Sequence, residues 1–429
     1  MAPVHVLVFP WPLQGHINSM LHFAAGLLDG DAGLHVSFVH TEHNLRRLDR
    51  AKAAASPRLR LVSIPDGLPD DHPRSVDDLK DLSKSLMTTG TVPYRALLAS
   101  MLSAGSHAAD GGFPPLSCVV ADGLLPFAID IAEELGVPAL AFRTASACSV
   151  LAYLSVPKLM ELGQVPIPVG ADLDEPVRGV PGMEDFLRRR DLPSACRLRA
   201  DTNAVDPLLH ILVNYSTHSA KARALICNSP ASLEGSALAH IAPQMRDVFA
   251  IGPVHAMWAA PALPTSLWRE DDGCMAWLDG QADRSVVYVS LGSLAVISLE
   301  QFTEFLSGLI GAGYAFLWVL RPDMVGASQR GVLQEAIDAT GNDKINSRFV
   351  GAVWGNGLDM KDVCERAVVE GMVREAMESA ELRMKAQALA QQVRRDVAEG
   401  GSSATEFERL VCFIKELTVK AATASNNTV

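Results

Sequence analysis

The stretch VHVLVFPWPLQGHINSMLHFAAGLL, residues 4–28, combines a strand, a turn and a helix, and it indicates the fold class. Val4–Phe9 is rich in valine and other apolar residues, and Met20–Leu28 is an apolar segment of helical length. Two prolines and Gly15 mark a turn between them. A strand this apolar, joined directly to a helix, is typical of a parallel sheet that helices cover on both faces.

The same alternation continues along the chain and predicts two series of elements. The first series has strands at His35–His40, Leu59–Ile64, Ser117–Ala121, Ala139–Phe142, Ala224–Cys227 and Val248–Ile251, and helices at Ala128–Leu135, Leu208–Ala222 and Leu233–Ile241. The second series has strands at Ser285–Ser290 and Ala315–Val319, and helices at Gly273–Leu278, Leu299–Ala312, Asp343–Ala352, Val369–Ser379, Glu381–Ala398 and Ala404–Val419.

These two series predict an α/β protein with two domains that face each other across a cleft. We assign the N-terminal domain to residues 1–252 and a linker to residues 253–272, where prolines and alanines interrupt the periodicity. The C-terminal domain then takes residues 273–405, and a helix and tail take residues 406–429. In sheets of this kind the functional loops lie at the carboxyl ends of the strands.

Composition excludes several classes of protein. With 429 residues, 48% apolar and 20% charged, the chain can build large cores without metal or disulfide support. The net charge of −12 gives no sign of a nucleic-acid partner. The seven cysteines include no CxxC pair, which argues against a zinc site. Without a basic leader or a long apolar window, we expect a cytosolic enzyme or binding protein with no transmembrane segment.

Several nucleotide and hydrolase motifs are also missing. The sequence has no GK dipeptide, no GxSxG elbow and no HExxH helix. The nearest approach to a dinucleotide fingerprint is Gly311-Ala-Gly313, which lacks the third glycine and precedes a strand rather than following one. A nicotinamide-dependent enzyme is therefore disfavoured.

Two residues at strand ends are candidates for acid–base chemistry. His16 follows the first strand at the start of a helix, where a neutral imidazole can act as a general base. Asp122 ends the strand from Ser117 and can orient a histidine on a neighbouring strand. Each has a structural alternative: His16 as a solvent-facing or capping side chain, and Asp122 as the N-cap of the helix from Phe127.

The second domain opens in a similar way, with Val286–Ser290 followed by Leu291, Gly292 and Ser293. Free backbone N–H groups and a hydroxyl at such a turn can hold a phosphate, although an ordinary turn has the same composition. Residues 400–403, Gly-Gly-Ser-Ser, indicate a loop and the N-cap of the last helix.

Taken together, the motifs resemble those of the plant UDP-dependent glycosyltransferases. This family has the two-domain GT-B fold and transfers a sugar from a UDP-sugar to a small lipophilic acceptor without a metal. The similarity covers most of the chain, and within the family the chain resembles enzymes that glucosylate terpenoids or similar small hydroxylated metabolites. The matching segments are FP (9–10), GH (15–16), VVAD (119–122), PFAIDIAEELGVPALAF (126–142), YVSLGS (288–293), FLWVLRPD (316–323), INSRFVGAVWG (345–355) and GGSS (400–403).

The resemblance implies a role for each matching residue. His16 matches the general base, and Asp122 matches the acid that holds it. The reaction is then one in-line displacement with inversion, in which UDP leaves. UDP-glucose is the implied co-substrate, with no further cofactor and no metal, and the protein is expected to act as a monomer. Gly15, Gly292 and Ser293 match loops that face the diphosphate, and Leu13, Gln14, Phe127, Thr144 and Ser146 are candidate acceptor contacts.

The chain departs from the family at its donor signature, a segment of roughly forty-four residues with its own mechanics. In the family this segment supplies a tryptophan that stacks on uracil, a histidine for the diphosphate within HxGWNS, a glutamate for the ribose, and a final Asp-Gln pair for the sugar. Here only 23 residues separate Arg321 from Ile345, WAPQ and HxGWNS are absent, and the Asp-Gln positions fall on Asn342 and Asp343. We therefore expect an internal deletion that leaves the second domain incomplete.

This departure leaves two functions open. One is a UDP-sugar-dependent glycosyltransferase that acts on a hydroxyl or carboxyl group, with its donor site weakened. The other is an inactive relative of such enzymes that binds a small metabolite or a protein partner without transferring sugar. Binding of an acceptor without binding of UDP distinguishes the second from the first.

Overall fold

A computed structural model describes residues 3–48, 57–72, 74, 79–103, 113–199, 202–258, 267, 273–292, 297–320, 341–360 and 364–426. In this part of the chain the strands form one sheet of seven strands and one of two. The strands of the larger sheet are β1 Val4–Phe9, β2 Leu34–Thr41, β3 Leu59–Ile64, β4 Leu116–Asp122, β5 Ala139–Arg143, β6 Leu225–Cys227 and β7 Val248–Ala250.

All neighbours in the larger sheet are parallel, and their order is β3-β2-β1-β4-β5-β6-β7. The order therefore reverses between β1 and β4, and the connections after these two strands diverge. In open parallel sheets such a reversal opens a crevice at the carboxyl ends of the strands. His16 and Asp122 both belong to this edge of the sheet.

Helices connect the strands and cover both faces. Those of the first series are α1 Gln14–Gly30, α2 Glu42–Arg47, α3 Leu79–Thr88, α4 Thr91–Ser103, α5 Pro126–Glu134, α6 Ala147–Glu161, α7 Pro207–His218, α8 Ala231–Ile241 and α9 Val254–Met257. Those of the second are α10 Gly273–Asp279, α11 Leu299–Ala312, α12 Gly341–Arg348, α13 Arg366–Glu378, α14 Ala380–Val397 and α15 Ser402–Asn426, with a π-helical turn at Phe349–Val353 after α12.

Helix α6 was not predicted, and its burial explains why. Ten consecutive residues, Ala147–Val156, are buried, so the helix has no polar face to produce a periodic pattern. It also contains Pro157, which ordinarily signals the end of a helix. Because α6 lies at the centre of the first core, its sequence cannot be distinguished from that of a buried strand by periodicity alone.

The last helix, α15, packs on the larger sheet rather than on the smaller one. Phe407 lies 6.2 Å from Phe23 of α1 and 4.2 Å from Trp258, measured between ring centroids. Leu410 and Ile414 are fully buried in the same cluster. The C-terminal helix therefore packs against the first half of the chain.

The smaller sheet pairs β8, Val286–Ser290, with β9, Ala315–Val319. In the larger sheet β1 lies between two strands and is buried at every residue. In contrast, β8 has no strand on its other side among the described residues, and Tyr288 is 66% exposed. The two halves begin alike, with strand, turn, helix and strand, but only the first continues into a complete sheet within the described part of the chain.

A buried histidine in β2 predicts sensitivity to acid. His40 is 3% exposed, and burial lowers its pKa to about 4. In the unfolded chain the same group titrates near 6.5. As the pH falls from 6.5 to about 4, the unfolded chain binds a proton at this histidine that the folded protein does not bind. We therefore expect the free energy of unfolding to fall by about 3 kcal/mol on this account.

Urea denaturation at about pH 7 and about pH 4.5 checks this expectation. His40→Phe removes the titrating group while keeping a ring among its neighbours, so the loss of stability between the two pH values should be smaller in that variant. His210→Phe, at an exposed position, is the matched control. An equal loss in His40→Phe and in the unsubstituted protein contradicts the expectation.

Candidate active site

His16 and Asp122 meet at the carboxyl edge of the larger sheet. The ring Nδ1 of His16 lies 2.6 Å from Oδ2 of Asp122, although the two residues are 106 positions apart in sequence. His16 lies in the first turn of α1, and Asp122 is the last residue of β4. Because β1 and β4 are neighbours, the helix after one strand reaches the end of the other.

Three donors hold the Asp122 carboxylate in place. Besides His16, the backbone N–H of Trp11 donates to Oδ2 at 3.3 Å, and that of Leu124 donates to Oδ1 at 3.0 Å. Burial alone would raise the pKa of this 1% exposed group. The charge of His16, its hydrogen bond, the Leu124 N–H and the charge of Arg143 together hold the pKa below its usual range. Helix α5 has Leu125 as its N-cap, so the alternative of a capping Asp122 is wrong.

This contact fixes which nitrogen of His16 can act as a base. An ionised carboxylate only accepts hydrogen bonds, so the neutral ring carries its proton on Nδ1 and donates it to Asp122. The Nε2 lone pair is then free, and the side chain is 22% exposed. The arrangement can take a proton from a bound hydroxyl and stabilise the resulting imidazolium through Asp122.

Gly15 lies in a different conformation from the expected one. The strand-to-helix turn is made before it, with the N–H of Leu13 donating to the carbonyl of Trp11 at 2.7 Å, and α1 already begins at Gln14. Gly15 is thus helical, and no atom lies within 4 Å of the position its Cβ would take. The N-terminus of α1 has no capping side chain and no acidic residue, so its positive end is available to an anion.

The candidate acceptor residues have unequal surroundings. Thr144 contacts His16 directly, with its Oγ1 3.1 Å from Nδ1 of the ring. Leu13 is half-buried against the core, and Gln14 receives a hydrogen bond from the N–H of Leu267 and donates one to Asn18. Phe127 is a buried core side chain.

Ser146 caps α6 and is in contact with the second half of the chain. Its Oγ donates to Oδ1 of Asn346 at 2.5 Å, and Ser149 Oγ donates to the same oxygen at 3.3 Å. Asn346 belongs to α12, so this helix lies directly against the N-terminus of α6. The residue patterns gave no reason to pair these positions.

Further contacts hold α12 and the following turn against the first half. Arg348 Nε donates to the carbonyl of Phe186 at 2.8 Å, and Phe349 packs edge-on against the Phe186 ring at 5.2 Å. An ion pair joins Arg188 to Asp359 across the same junction. A polar cavity of about 410 Å³ lies there, lined by Asp174, Arg188, Arg190, Arg348 and Asp359.

The candidate donor residues are only partly described. Gly292 follows β8 with φ +72°, a conformation that favours glycine, and it is exposed. Ser293 lies outside the described residues, as does Arg321. Asn342 and Asp343 belong to α12, and their side chains lie outside the described part of the structure.

The described residues lack two features. No group of three or more metal-ligating side chains comes together in this part of the chain. Among the helices described, none combines the length and the apolar character that crossing a bilayer requires.

Comparison with known proteins gives consistent matches over the whole length. A myricetin 3-O-rhamnoside 1,2-glucosyltransferase of Crocosmia x crocosmiiflora is 38% identical over 477 aligned positions, which cover 99% of this chain and 98% of that protein. A 7-deoxyloganetic acid glucosyltransferase of Catharanthus roseus is 37% identical, with 97% and 98% covered. No family model matches the chain.

Solved structures show the same fold at low sequence identity. An anthocyanidin 3-O-glucosyltransferase in complex with UDP superposes with a TM-score of 0.77 at 18% identity, covering 96% of this chain and 99% of that one. Medicago truncatula UGT71G1, complexed with UDP-glucose, gives 0.72 at 20% identity, with 97% and 98% covered. From these relatives and this fold we conclude that the chain belongs to the plant UDP-glycosyltransferase family and has its GT-B fold.

Proposed function

We propose that this protein transfers glucose from UDP-glucose to a hydroxyl or carboxyl group of a small lipophilic plant metabolite. The observation that carries the proposal is the His16–Asp122 contact, which leaves Nε2 of His16 free at the open edge of the sheet. The two relatives above act, by their names, on a flavonol rhamnoside and on an iridoid acid. Both acceptors are small molecules with an attacking oxygen.

The reaction is a single displacement at the anomeric carbon. Nε2 of His16 takes the proton of the acceptor oxygen as that oxygen forms its bond to C1 of glucose. The bond between C1 and the diphosphate oxygen breaks, and UDP leaves with the electron pair, so the configuration at C1 inverts. Asp122 stabilises the imidazolium that forms, and the N-terminus of α1 at Gly15 faces the developing charge on the diphosphate.

Thr144 is the one acceptor-side candidate that touches the base, and we propose that it orients the acceptor oxygen. Gly292 and Ser293 are proposed to face the diphosphate from the second domain. The domain division at residues 252 and 273, a cytosolic location and a monomeric state complete the proposal.

We propose further that the donor half of the site is reduced by an internal deletion between Arg321 and Ile345. The sequence lacks WAPQ and HxGWNS. The alignment with the Crocosmia enzyme spans 477 positions while the chain has 429 residues, so at least 48 positions face a gap in this chain. The open edge of β8 supports the same idea, because a strand is missing beside it in the described structure.

The expected consequence is weak donor binding. Loss of the stacked base, the ribose hydrogen bonds and the diphosphate contacts removes several kcal/mol of interaction in sum, and each 1.4 kcal/mol is about tenfold in affinity. Transfer should therefore need UDP-glucose at roughly millimolar concentration or above.

The open edge of β8 is also compatible with the second candidate function, metabolite binding without transfer, because that function needs no donor site. One assay separates the two. The purified chain is incubated with millimolar UDP-[¹³C]glucose and a panel of flavonols, iridoids and phenolic acids, and glucosides are detected by mass spectrometry. Labelled product that disappears in His16→Ala supports transfer. Acceptor binding, followed by tryptophan fluorescence, with no labelled product supports the second function and overturns the first.

A further inference from the structure

Arg143, the last residue of β5, is a buried cation beside the base site. It is 4% exposed. Its strand is paired with β4 so that Asp122 faces Phe142, and the N–H of Gly123 donates to the Phe142 carbonyl at 2.8 Å. The guanidinium thus lies next to the backbone that immediately follows Asp122.

The space for this side chain is made by Gly123. A Cβ at Gly123 would lie 2.5 Å from Cδ of Arg143 and 3.1 Å from its Nη1, which is too close for any larger residue without displacement. The same Cβ position is 3.2 Å from Oγ of Ser219. Arg143 therefore packs directly against the turn that carries Asp122.

Burial lowers the pKa of the Arg143 guanidinium, and the charge of the Asp122 carboxylate opposes that shift. Nη1 of Arg143 and Oγ of Ser219 are buried, and neither has a hydrogen-bond partner in the described part of the chain. The other titratable groups facing Arg143 are Tyr153 of α6 and Cys227 of β6. Burial raises the pKa of Cys227 to about 12, so it is neutral, as is a phenol near pH 7. A buried charge without an opposite charge is strongly unfavourable, which links Arg143 to Asp122.

Asp122 in turn faces few charged groups. From α1 it faces His16, from β5 it faces Arg143, and its other partners are the backbone N–H groups of Trp11 and Leu124. His16 faces Asp122 and the neutral hydroxyl of Thr144. Asp122 therefore interacts electrostatically with both His16 and Arg143.

We propose that Arg143 is a positioning residue that keeps Asp122 ionised behind His16 and opposes premature protonation of the base. The positive charge of Arg143 favours the ionised form of Asp122, which lies buried behind His16. The ionised carboxylate accepts from Nδ1 of His16, and Nε2 is then the nitrogen that can take a proton. This inference rests on the proposed role of His16 as the base.

The test is a pH titration of the pair that needs neither donor nor turnover. Protein carrying [¹³C]-labelled histidine rings is titrated by NMR, and the His16 signal is assigned with His16→Gln. Removing a unit charge beside the pair should raise the titration midpoint in Arg143→Met by about one pH unit. Arg143→Lys, which keeps the charge, should stay near the unsubstituted value. Arg223→Met removes an exposed arginine and should leave the midpoint unchanged.

A folded Arg143→Met protein with an unchanged midpoint overturns the proposal. If that variant does not fold, Gly123→Ala displaces the guanidinium and should shift the midpoint in the same direction. An unchanged midpoint there also overturns the proposal. Asp122→Asn checks the underlying role of His16 separately, because loss of the carboxylate should lower the midpoint. No change in Asp122→Asn counts against the roles of His16 and Asp122 rather than against the role of Arg143.

Discussion

Replacing His16 with alanine is expected to lower the rate of sugar transfer by about two to four orders of magnitude, which is the usual contribution of a general base. The structure gives the reason. Nδ1 of His16 is held by Asp122 at 2.6 Å, and the only proton acceptor this leaves on the ring is Nε2. Without the imidazole, the acceptor oxygen would have to attack with its proton still attached.

The measurement is kcat with saturating acceptor, compared at several donor concentrations. His218→Asn is the matched control, since His218 makes a second histidine–carboxylate contact, 2.9 Å from Asp130, in a pair separate from His16 and Asp122. That variant should retain most of the activity. A loss of less than tenfold in His16→Ala, with acceptor affinity unchanged, contradicts the role given to His16.

The second large effect is expected from inserting the donor segment that we propose has been deleted. Splicing the corresponding segment of the Crocosmia enzyme between Arg321 and Ile345 should increase the affinity for UDP by about a thousandfold or more. This gain corresponds to about 4 kcal/mol. By the family resemblance, the segment supplies the uracil stack, the ribose contacts and a diphosphate ligand together. It also places a strand beside the open smaller sheet.

Isothermal titration of UDP into the grafted and ungrafted chains measures this gain. An insertion of the same length made of glycine and serine is the control, and it should produce no increase. The graft should also raise the thermal stability of the second half, because Tyr288 and the edges of β8 and β9 become covered. Equal UDP affinity in the grafted and ungrafted chains would show that the donor site does not depend on this segment.

Much of the larger sheet could be predicted because buried strands have a plain sequence signal. The bounds of β1 and β3 agree with the predicted ones, and so do those of β9 in the smaller sheet, since each strand is short, mainly apolar and bounded by turn residues. Helix α6 could not be predicted, because it is buried on all sides and contains a proline. Local periodicity reports which face of an element meets water, and α6 has no such face.

The contact between His16 and Asp122 could be predicted for a similar reason. His16 and Asp122 follow two strands of one parallel sheet, and the carboxyl ends of such strands share an edge. Arg143 and Asn346 could not be assigned roles. Arg143 acts through its neighbour across β4 and β5, and Asn346 reaches Ser146 only because α12 packs against α6. Both contacts depend on the tertiary arrangement rather than on a local pattern.

We propose that this glycosyltransferase keeps a complete base site and lacks much of its donor site. The most direct test is calorimetric titration of UDP into the unmodified chain, with acceptor binding measured on the same sample. We expect that a suitable acceptor binds while UDP shows a dissociation constant of roughly a millimolar or weaker. Micromolar binding of UDP by the unmodified chain would contradict it.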